Sequence, residues 1–280
     1  MKYFTVDAFA QEPFGGNPAG VVLIGKNCKF PDDETMRKTA AEMRYSETAF
    51  VLQNSQTDFT VRYFTPAAEV ELCGHATIAS FSVLRNEGIV PVGTTCINHT
   101  KAGSLEIKVG EKILMEMATP EIVGKIDNTG RLEKIMNGKT AENLPAQIVS
   151  TGLPDIIFPI NSIDELNSLA PDMEALSKLS AELDVVGVHA FALADDGFTA
   201  HVRNFAPLYD IPEESATGTA NAALTYYLYK QGIIAPDTTC SFMQGETMQR
   251  PSVVETEIKE GNKVYVGGNS YILTKGEIYL

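Results

Sequence analysis

Glu69-Val70-Glu71-Leu72-Cys73-Gly74-His75-Ala76-Thr77 decides how this chain folds, because the second half of the sequence writes it again. The stretch follows a strand-like run, Phe59–Phe64, and the pair Thr65-Pro66. It leads into Ala76–Leu84, a segment without a single charge, and closes near Gly88-Ile89. Further on, Phe198–Phe205 and Ala206-Pro207 precede Glu213-Glu214-Ser215-Ala216-Thr217-Gly218-Thr219-Ala220. An uncharged segment over 220–228 then ends at Gly232-Ile233. A helix that is apolar all round is a buried one. Each half therefore reads as strands wrapped around one central helix.

The repeat keeps register. Aligning Phe50 with Phe191 sets Ala49 against Ala190 and Leu52 against Leu193. Arg62, Phe64 and Pro66 then meet Arg203, Phe205 and Pro207. Three extra residues enter the second copy, after which Gly74 meets Gly218 and the offset holds through Leu84 with Leu228 and Cys96 with Cys240. The period of about 144 residues lies far beyond any solenoid repeat, so the chain is a duplicated domain. The expected class is α+β, with halves at 1–118 and 119–269 and residues 270–280 returning to the first.

Along the chain, Tyr3–Phe9, Val21–Ile24, Ala49–Leu52, Cys96–His99, Ser104–Val109 and Lys112–Met117 read as strands of the first half, with a helix over 32–43. Phe14-Gly15-Gly16-Asn17-Pro18 carries turn signals, and its paired glycines also allow backbone amides close to a ligand. In the second half, Gln147–Ser150, Ile156–Ile160, Ser241–Met243, Ser252–Ile258 and Lys263–Val266 read as strands. A helical turn is expected at Arg131–Met136 and one helix across Glu165–Leu183. The last residues read as a hairpin about Lys275-Gly276.

With 280 residues, 44% hydrophobic and 21% charged, the composition is that of a soluble globular protein with ample core. No apolar run reaches membrane-spanning length, and the first residues read as a strand and not as a signal sequence. The net charge of −14 argues against nucleic acid, whose binding rests on neutralising phosphates. Cys28, Cys73, Cys96 and Cys240 make no CxxC pair and no metal-ligand spacing. A cytoplasmic protein with free thiols, no metal and no membrane partner is expected.

The chemistry concentrates at the two helix starts. The first N–H groups of a helix lack intrahelical partners, and the aligned peptide dipoles leave that end partly positive. Such an end holds an anion without any Lys or Arg. Gly74 and Gly218 stand there, where the absence of a side chain permits close approach. Two such ends at one small carboxylic acid would also stabilise the enolate-like charge formed when its α-proton leaves. The alternative is that the glycines serve close helix packing. Glu47, His75 and Glu214 are candidate proton carriers, the imidazole because it titrates near neutrality. A glutamate in an apolar pocket is tuned upward into the range where it shuttles protons. Cys73, a thiol at a helix start, is favoured as thiolate, but its mate is Thr217, so a pair of thiols on opposite faces is absent.

In these motifs the chain resembles the phenazine-biosynthesis PhzF-like proteins, which share the diaminopimelate epimerase fold. The resemblance runs through Phe14-Gly15-Gly16-Asn17-Pro18, Ser46-Glu47-Thr48, Arg62–Pro66, Cys73–Thr77, Arg203–Pro207 and Ala216–Ala220. It implies two pseudo-symmetric domains, each a curled, mostly antiparallel sheet around a central helix. It implies an active site in the cleft between them, cofactor-free isomerisation and a homodimer. It makes Glu47 the catalytic glutamate acting on a cyclohexadiene carboxylic acid, with His75 assisting. Glu214 and Thr219 stand where the family usually has Asp and Ser. The expected substrate contacts are Asn17, Cys73, Gly74, Ala76, Thr217 and Gly218. A one-base racemase or epimerase of a small amino or hydroxy acid, and a non-catalytic carboxylate binder, are the competing expectations.

Overall fold

The computed structural model describes residues 1–25 and 28–280. The chain divides into two compact units, residues 1–116 with 267–280, and residues 117–266. The first unit contains β1 (Lys2–Ala8), β2 (Asn17–Leu23), α1 (Asp33–Met43), β3 (Thr48–Gln53), β4 (Asp58–Phe64), β5 (Glu69–Val70), α2 (Gly74–Asn86), β6 (Thr94–Thr100), β7 (Gly103–Val109) and β8 (Ile113–Glu116). The second contains β9 (Glu121–Lys125), α3 (Thr129–Met136), β10 (Gln147–Ser150), β11 (Pro154–Pro159), α4 (Ile163–Ser168), α5 (Met173–Leu183), β12 (Val188–Leu193), β13 (Ala200–Ala206), β14 (Ile211–Glu214), α6 (Gly218–Lys230), β15 (Thr239–Gln244) and β16 (Ser252–Ile258). β17 (Val264–Gly268) leads back to the first unit, where β18 (Ser270–Glu277) ends the regular structure.

The two units repeat one order of strands. In the first, β18, β1, β2, β3, β4, β6, β7 and β8 are hydrogen-bonded in succession, parallel only at β2–β3 and β4–β6. In the second, the order is β9, β10, β11, β12, β13, β15 and β16, parallel only at β11–β12 and β13–β15. α2 touches β18, β1, β2 and β3 from one end of its sheet and β7 and β8 from the other, so the sheet curls around it. Every residue from His75 to Leu84 is buried, as is every residue from Ala220 to Leu228 in α6. This is why neither segment carries a charge: a buried charge without a partner is prohibitively costly. Ser80 bonds back to the Ala76 carbonyl and Thr225 to that of Asn221.

The outer faces of the sheets are covered by the peripheral helices. Met36 and Ala40 of α1 pack on Val22, Phe50 and Phe64, the last two edge-to-face. Asp32 caps α1 by accepting the Thr35 N–H at 2.8 Å. In the second unit α3, α4 and α5 cover Ile156, Phe158, Val188, Ala190 and Phe205. The single helix expected across 165–183 is two helices. The break at Leu169–Asp172 follows from Pro171, which α5 does not include, and α5 restarts with Asp172 as its cap. The hairpin expected about Lys275-Gly276 does not form either. β18 runs straight through both residues, because they pair with Phe4 and Tyr3 of β1 and not with their own neighbours.

The duplication is real, but its register differs from the alignment of identical residues. Phe64 faces Thr48 across the sheet, and its counterpart Phe205 faces Val188. Gly20 donates to the Glu47 carbonyl as Ile156 donates to that of Gly187, and Ile24 to that of Val51 as Ile160 to that of Phe191. Phe50 therefore corresponds to Ala190, and Glu47 to Gly187. The loop joining Leu193 to Ala200 is one residue longer than that joining Gln53 to Phe59, which shifted the match. A one-residue slip exchanges the faces of a strand: Phe50 lies under α1, whereas Phe191 meets Tyr227 of the central helix. The three-residue insertion lies between β13 and β14, in the 3-10 turn Pro207–Tyr209. Beyond it, Tyr63 opposite Val70 corresponds to Asn204 opposite Glu214.

Gly187 has no room for a side chain, since a Cβ there would lie 1.8 Å from the Phe205 carbonyl oxygen. Gly187→Ala should destabilise the second unit by about 3 kcal/mol, at the upper end of overpacking costs. Gly124→Ala, whose Cβ would meet only the Ile148 side chain at 3.6 Å, should be nearly neutral. Equal thermal melts for the two variants would contradict this packing.

Candidate active site

The first unit gathers three of the expected residues at the start of α2. Glu47 lies at the entrance to β3, and Cys73 and His75 flank the first helical residue, Gly74. His75 Nε2 stands 3.3 Å from Glu47 Oε2, and Cys73 Sγ stands 3.4 Å from His75 Nδ1. Cys73 and His75 are buried, and the Glu47 side chain is 16% exposed. The Glu47–His75 contact is short enough for an ion pair, yet it is not directed as a hydrogen bond: the buried Oε2 has no hydrogen-bond partner among the described residues. The two neighbours lie at different ring nitrogens, the carboxylate at Nε2 and the thiol nearest Nδ1. Ser46 Oγ approaches the same Nε2 at 3.5 Å, the outer limit of a hydrogen bond.

α2 begins on a cysteine N-cap whose side chain makes no capping hydrogen bond. Close packing does not account for Gly74: a Cβ there would meet only the Met115 methyl, at 3.7 Å. Gly16 is different. Its φ of +67° and the 2.3 Å between an added Cβ and the Ala8 carbonyl oxygen demand glycine for the turn alone. Asp7, fully buried, holds that turn by accepting the Phe14 N–H at 3.0 Å. Asn17 follows at the start of β2, buried, at the end of the β2–β3 pair where Glu47 also stands. Ala76 is buried in the first turn of α2.

In the second unit Thr217 precedes Gly218, the first residue of α6, and likewise makes no side-chain cap. Its hydroxyl donates to Glu214 Oε2 at 2.5 Å. Thr219 lies in the first turn of α6, its carbonyl accepting from the Thr151 hydroxyl at 3.0 Å. Behind them runs a polar chain that sequence reasoning missed. Gln244 Oε1 accepts from the Thr217 N–H and from Asn221 Nδ2, while its Nε2 donates to Thr217 Oγ1 and to the Glu214 carbonyl. Asn221 Oδ1 lies 3.3 Å from His189 Nε2, whose Nδ1 lies 3.3 Å from Asn204 Nδ2. Asn204 in turn bonds the buried Asp155. The one available signal was an asparagine, Asn221, inside a helix otherwise suited to burial.

Burial pushes the Asp155 carboxyl up to about 7, against a smaller lowering by Asn204. Burial also pushes His189 down to about 4, against a smaller raising by Asn221. Both groups are thereby held neutral over a shared acidic range.

The known proteins that this chain is similar to agree with one another. The phenazine biosynthesis-like protein family, PhzC-PhzF, matches residues 6–276. An uncharacterized isomerase of Clostridium acetobutylicum is 34% identical over 300 aligned positions, covering 99% of this chain and 97% of the relative. The trans-2,3-dihydro-3-hydroxyanthranilate isomerase of Pseudomonas fluorescens is 29% identical over 295 positions, covering 100% and 99%. A PhzF-family phenazine biosynthesis protein of Bacillus anthracis superposes with a TM-score of 0.89 at 26% identity, covering 100% of this chain and 99% of that one.

The buried pair in the second unit makes a pH prediction. Asp155, raised when folded, contributes stability below its unfolded value near 3.8 that is lost as pH rises through about 7. His189, lowered when folded, contributes stability above its unfolded value near 6.5 that is lost as pH falls through about 4. Between these limits the two slopes oppose each other. Asp155→Asn should leave the histidine term alone, so its stability relative to wild type should rise by roughly 1 kcal/mol per pH unit across that window. Parallel denaturation curves for the two proteins from acid to neutral pH would contradict this.

Proposed function

Because the chain belongs to the phenazine biosynthesis-like family and is an isomerase of that family, we propose that it moves a proton between carbon atoms of a small carboxylic acid, with Glu47 as the carrier. The observation that supports this most is the buried Glu47 oxygen, held 3.3 Å from His75 Nε2 at the start of α2 without a directed hydrogen bond. A carboxylate kept close to an imidazole but not tied to it is ready to accept a proton from a ligand.

In this mechanism the acid's carboxylate lies on the N–H groups at the start of α2, where Gly74 leaves space. Glu47 takes a proton from carbon, and the positive helix end stabilises the enolate-like charge that results. The same carboxyl, its proton exchanging with solvent between the two steps, delivers a proton to another carbon, a general acid–base contribution of about 10²–10⁴-fold. His75, 3.3 Å away, assists Glu47. The proposal includes the second helix start, with Gly218, Thr217, Thr219 and Glu214 acting on the same acid from an interdomain cleft. The enzyme works in the cytoplasm as a homodimer and needs no cofactor. A cyclohexadiene carboxylic acid, such as the dihydro-hydroxyanthranilate named for the Pseudomonas fluorescens relative, is the first substrate class to offer. Glu214 and Thr219, in place of the family's usual Asp and Ser, argue for a substrate of different size.

The Cys73 thiol, 3.4 Å from His75, favours a second reading as a racemase or epimerase. Deuterium incorporation from heavy water into a panel of such acids separates the possibilities. An isomerase places deuterium at a new carbon, a racemase at the original one, and a binder shifts the melting temperature with no exchange. Glu47→Gln should abolish exchange and keep binding, whereas Gly74→Ala should keep stability and weaken binding. Undiminished exchange by Glu47→Gln would sink the mechanism.

A further inference from the structure

His201, on β13 and only 6% exposed, has a carboxylate at each ring nitrogen. Glu246 Oε2 stands 2.5 Å from Nδ1, and Asp196 Oδ2 stands 2.9 Å from Nε2. An ionised carboxylate only accepts hydrogen bonds, and a neutral imidazole has one N–H to give. Both contacts are therefore hydrogen bonds only when the ring carries both protons. His99 shows the contrast. Asp58 stands at its Nε2, but Ser104 Oγ at its Nδ1 is able to donate, so a neutral ring satisfies both. We infer that the His201 imidazolium is a latch that fixes the segment leading into α6, and that loss of its proton frees Glu246 and loosens that segment. The latch does not depend on the proton-transfer function proposed above.

The two carboxylates come from different connections. Asp196 belongs to the loop between β12 and β13, and Glu246 opens the 3-10 turn Glu246–Met248 between β15 and β16. That turn is pressed against the approach to α6. A Cβ at Gly245 would lie 2.7 Å from the Ser215 carbonyl oxygen. The Thr247 hydroxyl donates to Glu213 Oε1 at 2.8 Å. Gln244, just before the turn, donates to the Glu214 carbonyl and the Thr217 hydroxyl and accepts from the Thr217 N–H. Residues 244–247 thus hold Glu213, Glu214, Ser215 and Thr217, and the Glu246–His201 bond ties them to β13.

When the ring loses a proton, one carboxylate faces a bare nitrogen and must leave. Asp196 is close to His201 along the chain, and its Oδ1 also accepts the Phe198 N–H at 3.3 Å. Its loop therefore keeps its place, and the last ring proton stays on Nε2. The Glu246 side chain, 41% exposed, has no other hydrogen bond among the described residues, so it is the one that turns to water. Burial lowers the ring's affinity for its proton, but the bonds to Glu246 and Asp196 more than reverse this, and the folded histidine lies above its ordinary value of 6.5. These two are the charged groups that act on the ring among the described residues; the Phe198 ring meets it edge-on at 5.7 Å. A histidine raised on folding contributes stability below its unfolded value that is lost as pH rises through the folded one. The latch is closed in acid and opens as pH rises.

Nitrogen-15 NMR of the full-length chain tests the latch without a substrate, with His201→Asn to assign the ring. At about pH 5.5 both His201 ring nitrogens should carry protons, and above the midpoint only Nε2 should. The backbone amide signals of Gly245 and Thr217 should move with the same midpoint. Asp155 titrates in the polar chain behind Thr217, and Glu246→Gln separates the two. That variant should lower the His201 midpoint by at least about one pH unit, carry the linked amide shifts with it, and leave the Asp155 titration where it was. A ring with a single proton in acid, or a midpoint unmoved by Glu246→Gln, would overturn the latch. A last proton on Nδ1 would overturn the release of Glu246. Gly245 and Thr217 signals that ignore the His201 titration would overturn its hold on the approach to α6.

Discussion

The first-turn N–H groups of a helix have no partner within the helix itself. On the surface, water would take them. In α2 and α6 the flanking sheet excludes water from the body of the helix, and neither Cys73 nor Thr217 provides a side-chain cap. The start of each helix is thus the place where the fold leaves its backbone dipole unmatched by a local carboxylate cap. The uncharged composition of both helices, the glycine at the first position and the polar groups gathered nearby all follow from that constraint. An anion bound there, as proposed, would complete the helix in the way that Asp32 completes α1.

The two units solve one architectural problem and divide the chemistry unequally. Where the first has Glu47, the second has Gly187, pressed against the Phe205 carbonyl and unable to hold any side chain. Where the second has Glu214, the first has Val70. Thiol and imidazole stand at one helix start, two threonines and a glutamate near the other. Behind the helices the contrast continues. Tyr63, Thr77 and Asn98 form a compact buried group in the first unit, while the second carries the longer chain from Gln244 to Asp155. The units have kept a shared strand order and have specialised where side chains meet the helix starts.

Much of this was legible in the sequence. Arg62 with Glu69 and Arg203 with Glu213 are bidentate pairs at matching positions, and the arginines were among the residues that marked the repeat. The central helices were legible because burial on all sides forbids charge, a signal carried by composition and not by periodicity. The proximity of Glu47 to His75 came from resemblance and not from the residues themselves, since no local rule joins positions in a strand entrance and a helix start. The strand register was misread because Ala-Phe-x-Leu recurs by coincidence one residue out of step, and a hairpin of altered length leaves no mark in composition. β9 was overlooked because its exposed Glu121, Ile122 and Val123 show no alternation. The hairpin expected at Lys275-Gly276 failed because long-range pairing with β1 outweighed a local turn signal.

We propose that the start of α2, with Glu47 beside it, is where this isomerase holds and deprotonates an acid. It is tested most directly by a crystal structure with a small unsaturated carboxylic acid bound. The ligand's carboxylate should lie on the backbone N–H groups at Gly74–Ala76, with a carbon-bound hydrogen aimed at a Glu47 oxygen. A ligand seated instead in the cavity of about 450 Å³ lined by Asn137, Lys139, Glu142 and Glu165 of the second unit, with the α2 start empty, would contradict it.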